Sequence, residues 1–240
     1  MPTQKVEVID FRSLEFGRGI WHPAMSKFRL CISILAVAFA GCSTATREPA
    51  NLSPHKQQIR EYVDSGQYMR EIDAVAARAK AWIEQRAARG GTGLTVVFDL
   101  DETLLFNWPL ISAMDFGYVP AEWDRWVEEA KAPAIESVRE VYRSARRLGI
   151  AVVFITGRPE SARESTVRNL RAIDCAEFTA LICRPSWDRG TAAAFKTNAR
   201  QSLLIEPRII IANIGDQVSD LVGGGAERTF KLPNAFYITE

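Results

Sequence analysis

The chain has 240 residues, 47% of them hydrophobic and 25% charged, with a formal net charge of +1. A balance this close to neutral presents no broad basic footprint, which excludes nucleic acid as an expected partner. Only His22 and His55 supply imidazoles, too few for a histidine-rich zinc centre.

Residues 30–40 form an apolar run of eleven, preceded by Lys27 and Arg29 and followed by Gly41-Cys42-Ser43. The run is too short to cross a bilayer and fits the hydrophobic part of a secretory leader. Glu7, Asp10 and Glu15 put acids where a leader should begin basic, so Met25 is expected to be the true start. Phe39-Ala40-Gly41-Cys42 resembles a bacterial lipobox, with Phe39 in place of the usual Leu or Val, and Ser43 fits sorting to the outer membrane. Ala38 and Ala40 also satisfy the small-residue rule of ordinary signal peptidase, which gives a soluble periplasmic product instead. The expected organisation is a signal region over 1–41, a tether over 42–53 and one domain over 54–240, attached to the membrane of the bacterial cell envelope by a lipid on Cys42. From Cys42 onward about 199 residues remain with a net charge of −1, which fits one α/β domain with a small insertion.

Helical patterns over 54–64 and 69–88 come first, the second ending at Arg89-Gly90-Gly91. Val96-Val97-Phe98 then reads as a buried central strand that stops at Asp99-Leu100-Asp101-Glu102-Thr103. Ligands of open α/β sheets bind beyond the carboxyl ends of such strands, so Asp99 and Asp101 stand at the mouth of a site. The segment 104–133 is longer than a turn and carries Phe106, Trp108, Phe116, Tyr118, Trp123 and Trp126, as expected of a small flap or cap. Those rings either stack on a substrate or form a minor core beneath the flap. Helices over 120–131 and 134–147 lead to a second strand, 150–155, which ends in Thr156-Gly157-Arg158-Pro159 before a helix over 160–173. Thr156 offers a hydroxyl, Gly157 lets backbone approach a ligand, and Pro159 suits a helix start. Cys183 lies in the apolar run Ala180-Leu181-Ile182-Cys183, so Cys175 and Cys183 are either a disulfide or buried inert thiols. A helix over 191–204 bears Lys196, the one lysine between the second strand and a third over 208–214, which ends in Gly215-Asp216-Gln217-Val218-Ser219-Asp220. Strands alternating with helices predict an α/β fold, a Rossmann-like doubly wound parallel sheet with a small flap or cap insertion after the first core strand.

Asp99-x-Asp101-x-Thr103, Thr156, Lys196 and Gly215-Asp216-x-x-x-Asp220, in this order, resemble the haloacid dehalogenase-like superfamily. Asp-Glu-Thr, Thr-Gly-Arg-Pro, Phe195-Lys196-Thr197, Asn213-Ile214-Gly215-Asp216-Gln217 and Phe230-Lys231-Leu232-Pro233-Asn234 are similar to its acid phosphatase branch, which joins plant vegetative-storage-type enzymes with bacterial class B and class C acid phosphatases. Three carboxylates from two strand ends make an all-oxygen site suited to Mg²⁺. The resemblance implies a phosphomonoesterase with Asp99 as nucleophile and Mg²⁺ ligand, Asp216 and the backbone carbonyl of Asp101 as further ligands, and Asp101 as general acid and base. It places Thr156, Gly157 and Lys196 on the phosphoryl oxygens, with Asp220 and Thr103 in support.

Blander readings stand beside these. Lys196 alone would be a solvated lysine, Asp220 an N-cap, and Arg158 either a substrate clamp or half of a surface pair. Asp99 and Asp216, as nearby like charges, are expected to raise the pKa of Asp101, an effect that Mg²⁺ opposes. The substrate class is small phosphomonoesters, nucleoside monophosphates first. The alternatives are a phosphotransferase of the same fold and a catalytically idle envelope or storage-type protein.

Overall fold

The computed structural model describes residues 49–205 and 207–239. The signal region, Met25, Cys42 and most of the tether lie outside the described residues. No described helix is long and apolar enough to cross a membrane.

The helix α1 (Leu52–Asp64) opens on Asn51, whose side chain accepts from the Ser53 N–H. The longer α2 (Gln67–Ala88) buries Tyr68, Ile72, Val75, Ala76, Ala79 and Ile83, a stripe at helical spacing that lies on the sheet. Among the described residues five strands follow: β1 (Leu94–Phe98), β2 (Ala151–Pro159), β3 (Ala180–Arg184), β4 (Ile209–Gly215) and β5 (Thr229–Lys231). Their order in space is β3-β2-β1-β4-β5, and every pairing is parallel.

Successive strand residues face opposite sides, and both sides are covered. Val96, Phe98, Val152 and Phe154 join the cluster formed with α2 and α5 (Glu136–Arg147). Val97, Val153, Ile155 and Ile210 meet Phe195 and Ala199 of α7 (Ala192–Leu203) on the other side. Burial on both faces is why these strands read as continuous apolar runs. The β1–β4 register slips after Thr95, so Ile211 has no partner on β1; its carbonyl accepts from the Trp82 indole N–H at 2.7 Å.

The flap leaves and re-enters at one point, where Phe106 N–H donates to Pro133 O and Ile135 N–H to Leu104 O, both at 2.9 Å. It contains α3 (Trp108–Ala113) and α4 (Pro120–Glu129), of which the sequence pattern indicated only the second. The strand expected to end at Ile155 continues to Pro159, because its pairing with β3 slips and resumes at Pro159 opposite Arg184. The helix expected from residue 160 opens as a 3-10 turn, Glu160–Ala162, before α6 (Arg163–Ala172). A short α8 (Val218–Leu221) follows β4. Cys175 and Cys183 are buried free thiols, so the disulfide alternative does not form. Burial pushes the Cys175 thiol up to about 12.

Candidate active site

The carboxyl ends of β1, β2 and β4 meet because Phe98 pairs with both Phe154 and Ile214. The next residue of β1 is Asp99, anchored by its N–H on Ile214 O at 2.9 Å. From α7, Lys196 reaches under the sheet end and donates to Asp99 Oδ1 at 2.6 Å and to Asp220 Oδ1 at 2.5 Å. It is buried and doubly paired, so the solvated-lysine reading fails. Burial disfavours its charge, but Asp99 and Asp220 outweigh burial and hold the ammonium well above its usual range. Asp99 is raised as well, but for a carboxyl the rise disfavours the charge: burial raises it most, Lys196 resists, and Asp220, Asp216 and Asp101 add to the rise.

Asp101 departs from expectation. Its carboxylate takes the Arg158 guanidinium as a fork, Nη2 to Oδ1 at 2.7 Å and Nε to Oδ2 at 3.0 Å, and accepts from Asn107 Nδ2 at 3.0 Å. Burial works to raise its pKa, yet the charge and hydrogen bonds of Arg158, with Asn107, bring it below the usual 3.8. The expected rise is therefore overturned by a cation the sequence left unplaced. Arg158 is no surface residue: it is buried, its third nitrogen lies 3.3 Å from Thr166 Oγ1, and its N–H donates to Thr156 Oγ1 at 3.1 Å.

Asp216 follows β4 and is held from three directions. Thr103 Oγ1 donates to Oδ1 at 3.1 Å, while Gln217 Nε2 and Asn234 Nδ2 each donate to Oδ2 at 2.7 Å. Asp220 is not the N-cap, which is Gln217, but the N3 residue of a capping box: its Oδ2 accepts the Gln217 N–H at 2.7 Å while Oδ1 takes Lys196. Gly215 is small for this reason: a Cβ there would lie 2.4 Å from the Asp220 carboxylate. One turn beyond Lys196, Arg200 is buried and binds the carbonyls of Asp220, Val222 and Gly224, which fixes the loop behind the site.

Asp99, Asp216 and Asp220 bring carboxylate oxygens within 4.8 Å of one another, all buried. Asp101 is balanced by Arg158, and Lys196 answers only one of the remaining three charges. With all three ionised, two negative charges would stay uncompensated; burial and their mutual repulsion hold the Asp99 and Asp216 carboxyls above their usual range, and a divalent cation with oxygen preference would neutralise the excess. Glu102 adds no fixed charge to this count: it is buried, hydrogen-bonded to Tyr237 OH and the Asn107 N–H, and pushed up to about 8 mainly by burial.

A cleft of about 570 Å³ opens above these groups. Asp99, Asp101, Gly157, Arg158, Lys196 and Asp216 line it, while Thr103, Thr156 and Asp220 lie buried behind that lining. Gly157 is exposed, with open space where a Cβ would project. The flap aromatics divide between the two readings. Phe116, Tyr118 and Trp123 line the cleft, whereas Phe106 packs on Tyr68 at 5.8 Å, Trp108 on Phe236 at 5.2 Å, and the Trp126 indole donates to Asn107 Oδ1 at 2.8 Å. Phe236, Tyr237, Ile238 and Thr239 also line the cleft. Asn107, Arg200, Gln217, Asn234 and Tyr237 were missed as functional positions. Gln217 and Asn234 stood inside the quoted motifs without being given a role, and Arg200 had a local signal in its four-residue spacing from Lys196.

A parallel α/β sheet with an aspartate at the end of its central strand, a lysine on that aspartate and an acidic loop from the neighbouring strand defines a phosphoryl-handling enzyme of Rossmann-like fold. Residues 35–240 match the HAD superfamily, subfamily IIIB (acid phosphatase), and the chain belongs to this family as a phosphomonoesterase. It is 38% identical over 203 residues to Acid phosphatase 1 of Solanum lycopersicum, covering 79% of each chain. Vegetative storage protein 1 of Arabidopsis thaliana is 31% identical over 194 residues, spanning 79% of this chain and 71% of the relative. The class C acid phosphatase of Bacillus anthracis shares the fold, with a TM-score of 0.65 at 21% identity over 77% of this chain and 86% of that one. The resemblance read from the motifs holds, and small phosphomonoesters are the substrates of the family.

Proposed function

We propose that the protein is a Mg²⁺-dependent acid phosphatase that works through an aspartyl-phosphate on Asp99, outside the cytoplasm, on esters with an aromatic or nucleoside leaving group. The observation that carries the reading is the buried group of Asp99, Asp216 and Asp220 around Lys196, with two negative charges left over when all three are ionised. Held by Asp99, Asp216 and the backbone carbonyl of Asp101, Mg²⁺ would neutralise charge on the transferred phosphoryl group. Asp99 attacks phosphorus in line, which splits one displacement into two easier ones. Lys196 and the Thr156 hydroxyl hold phosphoryl oxygens as charge develops.

Asp101 gives its proton to the departing oxygen and later takes one from the attacking water, a role worth roughly 10² to 10⁴ in rate. Because Arg158 keeps Asp101 ionised at rest, the proton-carrying form is scarce at neutral pH. An acidic optimum follows, and it is sharpest for poor leaving groups. Phe116, Tyr118 and Trp123 offer apolar ring surface to the group that departs.

The test is phosphate release from an aryl phosphate and a panel of nucleoside monophosphates, with Mg²⁺ and with chelator, beside Asp99→Asn. Turnover that needs Mg²⁺ and disappears in Asp99→Asn supports the reading. Turnover that survives the chelator or the substitution overturns it. The envelope location rests on the leader-like run and Cys42; mass spectrometry of the mature chain from a bacterial host should find diacylglyceryl on Cys42, and an unmodified start at Gly41 would replace the lipid anchor by a periplasmic product.

A further inference from the structure

The flap turn over 114–117 is built against backbone preference. Asp115 and Phe116 have φ angles of 49° and 63°, two consecutive non-glycine residues in the left-handed region. That conformation is rare for a bulky side chain and persists only where the surroundings enforce it. The enforcement comes from α1. Lys56 Nζ lies 2.6 Å from Asp115 Oδ2, and Arg60 Nη2 lies 3.0 Å from Asp115 Oδ1. Arg60 also donates to Ser112 Oγ at 3.3 Å and to Ser112 O at 3.4 Å, and its guanidinium stands 5.2 Å from the centre of the Phe116 ring. Trp108 supports the same ring at 5.8 Å. So fixed, Phe116 forms part of the cleft wall with Met114, Gly117 and Tyr118.

We propose that Lys56, Arg60 and Asp115 are positioning residues that set the choice of substrate: α1 clamps the strained turn so that Phe116 stands where the leaving group of an aromatic phosphomonoester lies. The inference rests on the phosphomonoesterase reading of the cleft. The phosphoryl group is handled by Asp99 and Lys196, neither of which touches the turn, so the clamp acts on the leaving group alone. Its ion pairs are partly exposed, with side-chain exposures of 24% for Lys56, 32% for Arg60 and 63% for Asp115, and salt therefore weakens them.

Asp115→Asn removes the charge while keeping a residue type that tolerates the left-handed region. The assay is steady-state kinetics of the full chain on p-nitrophenyl phosphate and on glycerol phosphate, with melting temperature and circular dichroism as folding controls. In Asp115→Asn and in Lys56→Ala/Arg60→Ala, KM for the aryl ester rises about fivefold while kcat and both constants for glycerol phosphate stay within about twofold. Asp115→Glu restores most of the aryl KM. In the wild type the ratio of aryl to glycerol KM climbs with added NaCl, and in Asp115→Asn it is flat. Equal effects on the two esters, or no effect on either, overturn the inference. Wild type inactive on both esters overturns the phosphomonoesterase reading and this inference with it.

Discussion

Replacing Arg158 by Gln tests how the general acid is governed. The guanidinium meets Asp101 through two contacts of 2.7 and 3.0 Å, and the two side chains are only 1% and 16% exposed. Removing one partner of a shielded ion pair strands the other charge and costs about 3–5 kcal/mol. Asn107 still donates to Asp101 at 3.0 Å, which favours the lower end. In a domain of this size that corresponds to a melting temperature lower by roughly 10 °C. Asp101 is held below 3.8 in the folded protein, so the pair's stabilisation is present above that value and fades as pH falls through the folded pKa. The melting gap between wild type and Arg158→Gln is therefore full near neutral pH and narrows below about pH 4. Without the cation the carboxyl keeps its proton to higher pH, and the alkaline limb of kcat/KM for an alkyl phosphate moves upward. Scanning fluorimetry across pH and a pH–rate profile read the two effects. A melting gap independent of pH, with an unmoved alkaline limb, would refute the reasoning.

Asn234→Ala removes the amide that donates to Asp216 at 2.7 Å; Mg²⁺ affinity measured by titration calorimetry should fall about 10- to 100-fold, and an unchanged affinity would reduce Asn234 to a clip for the chain end. Cys175 and Cys183 are buried, neutral thiols; a thiol reagent mapped by mass spectrometry should label neither in the native protein and both after denaturation, and a reducing agent should leave the melting temperature unchanged.

What could be read in the sequence was whatever lies close along the chain. The apolar runs that became β1, β2 and β4 declared themselves because burial on both faces leaves no alternation to obscure them, and their endings placed Asp99, Thr156 and Asp216 at one edge. Lys196 was legible only through its place in an ordered set of motifs. The partner of Asp101 was not: Arg158 lies 57 residues away along the chain, and nothing local says that a guanidinium will point inward and outweigh the effect of burial on that carboxyl. The same holds for Asn234, 18 residues beyond Asp216, and for Tyr237, 135 residues beyond Glu102. β5 escaped notice because three residues are too few for any period. The flap rings defeated a single reading because half-buried Trp108 of α3 stacks on Phe236 behind the cleft lining while the turn after α3 presents Phe116 to the cleft.

The central claim is that the phosphoryl group passes through Asp99. Rapid acid quench of enzyme mixed with excess ³²P-labelled aryl phosphate, followed by peptide mapping, tests it most directly. The account predicts a label of up to one phosphoryl per chain, released by hydroxylamine as an acyl phosphate should be, on the peptide that carries Asp99, and none in Asp99→Asn. A turning-over enzyme whose chain carries no label at any quench time, or carries it on another residue, would contradict it.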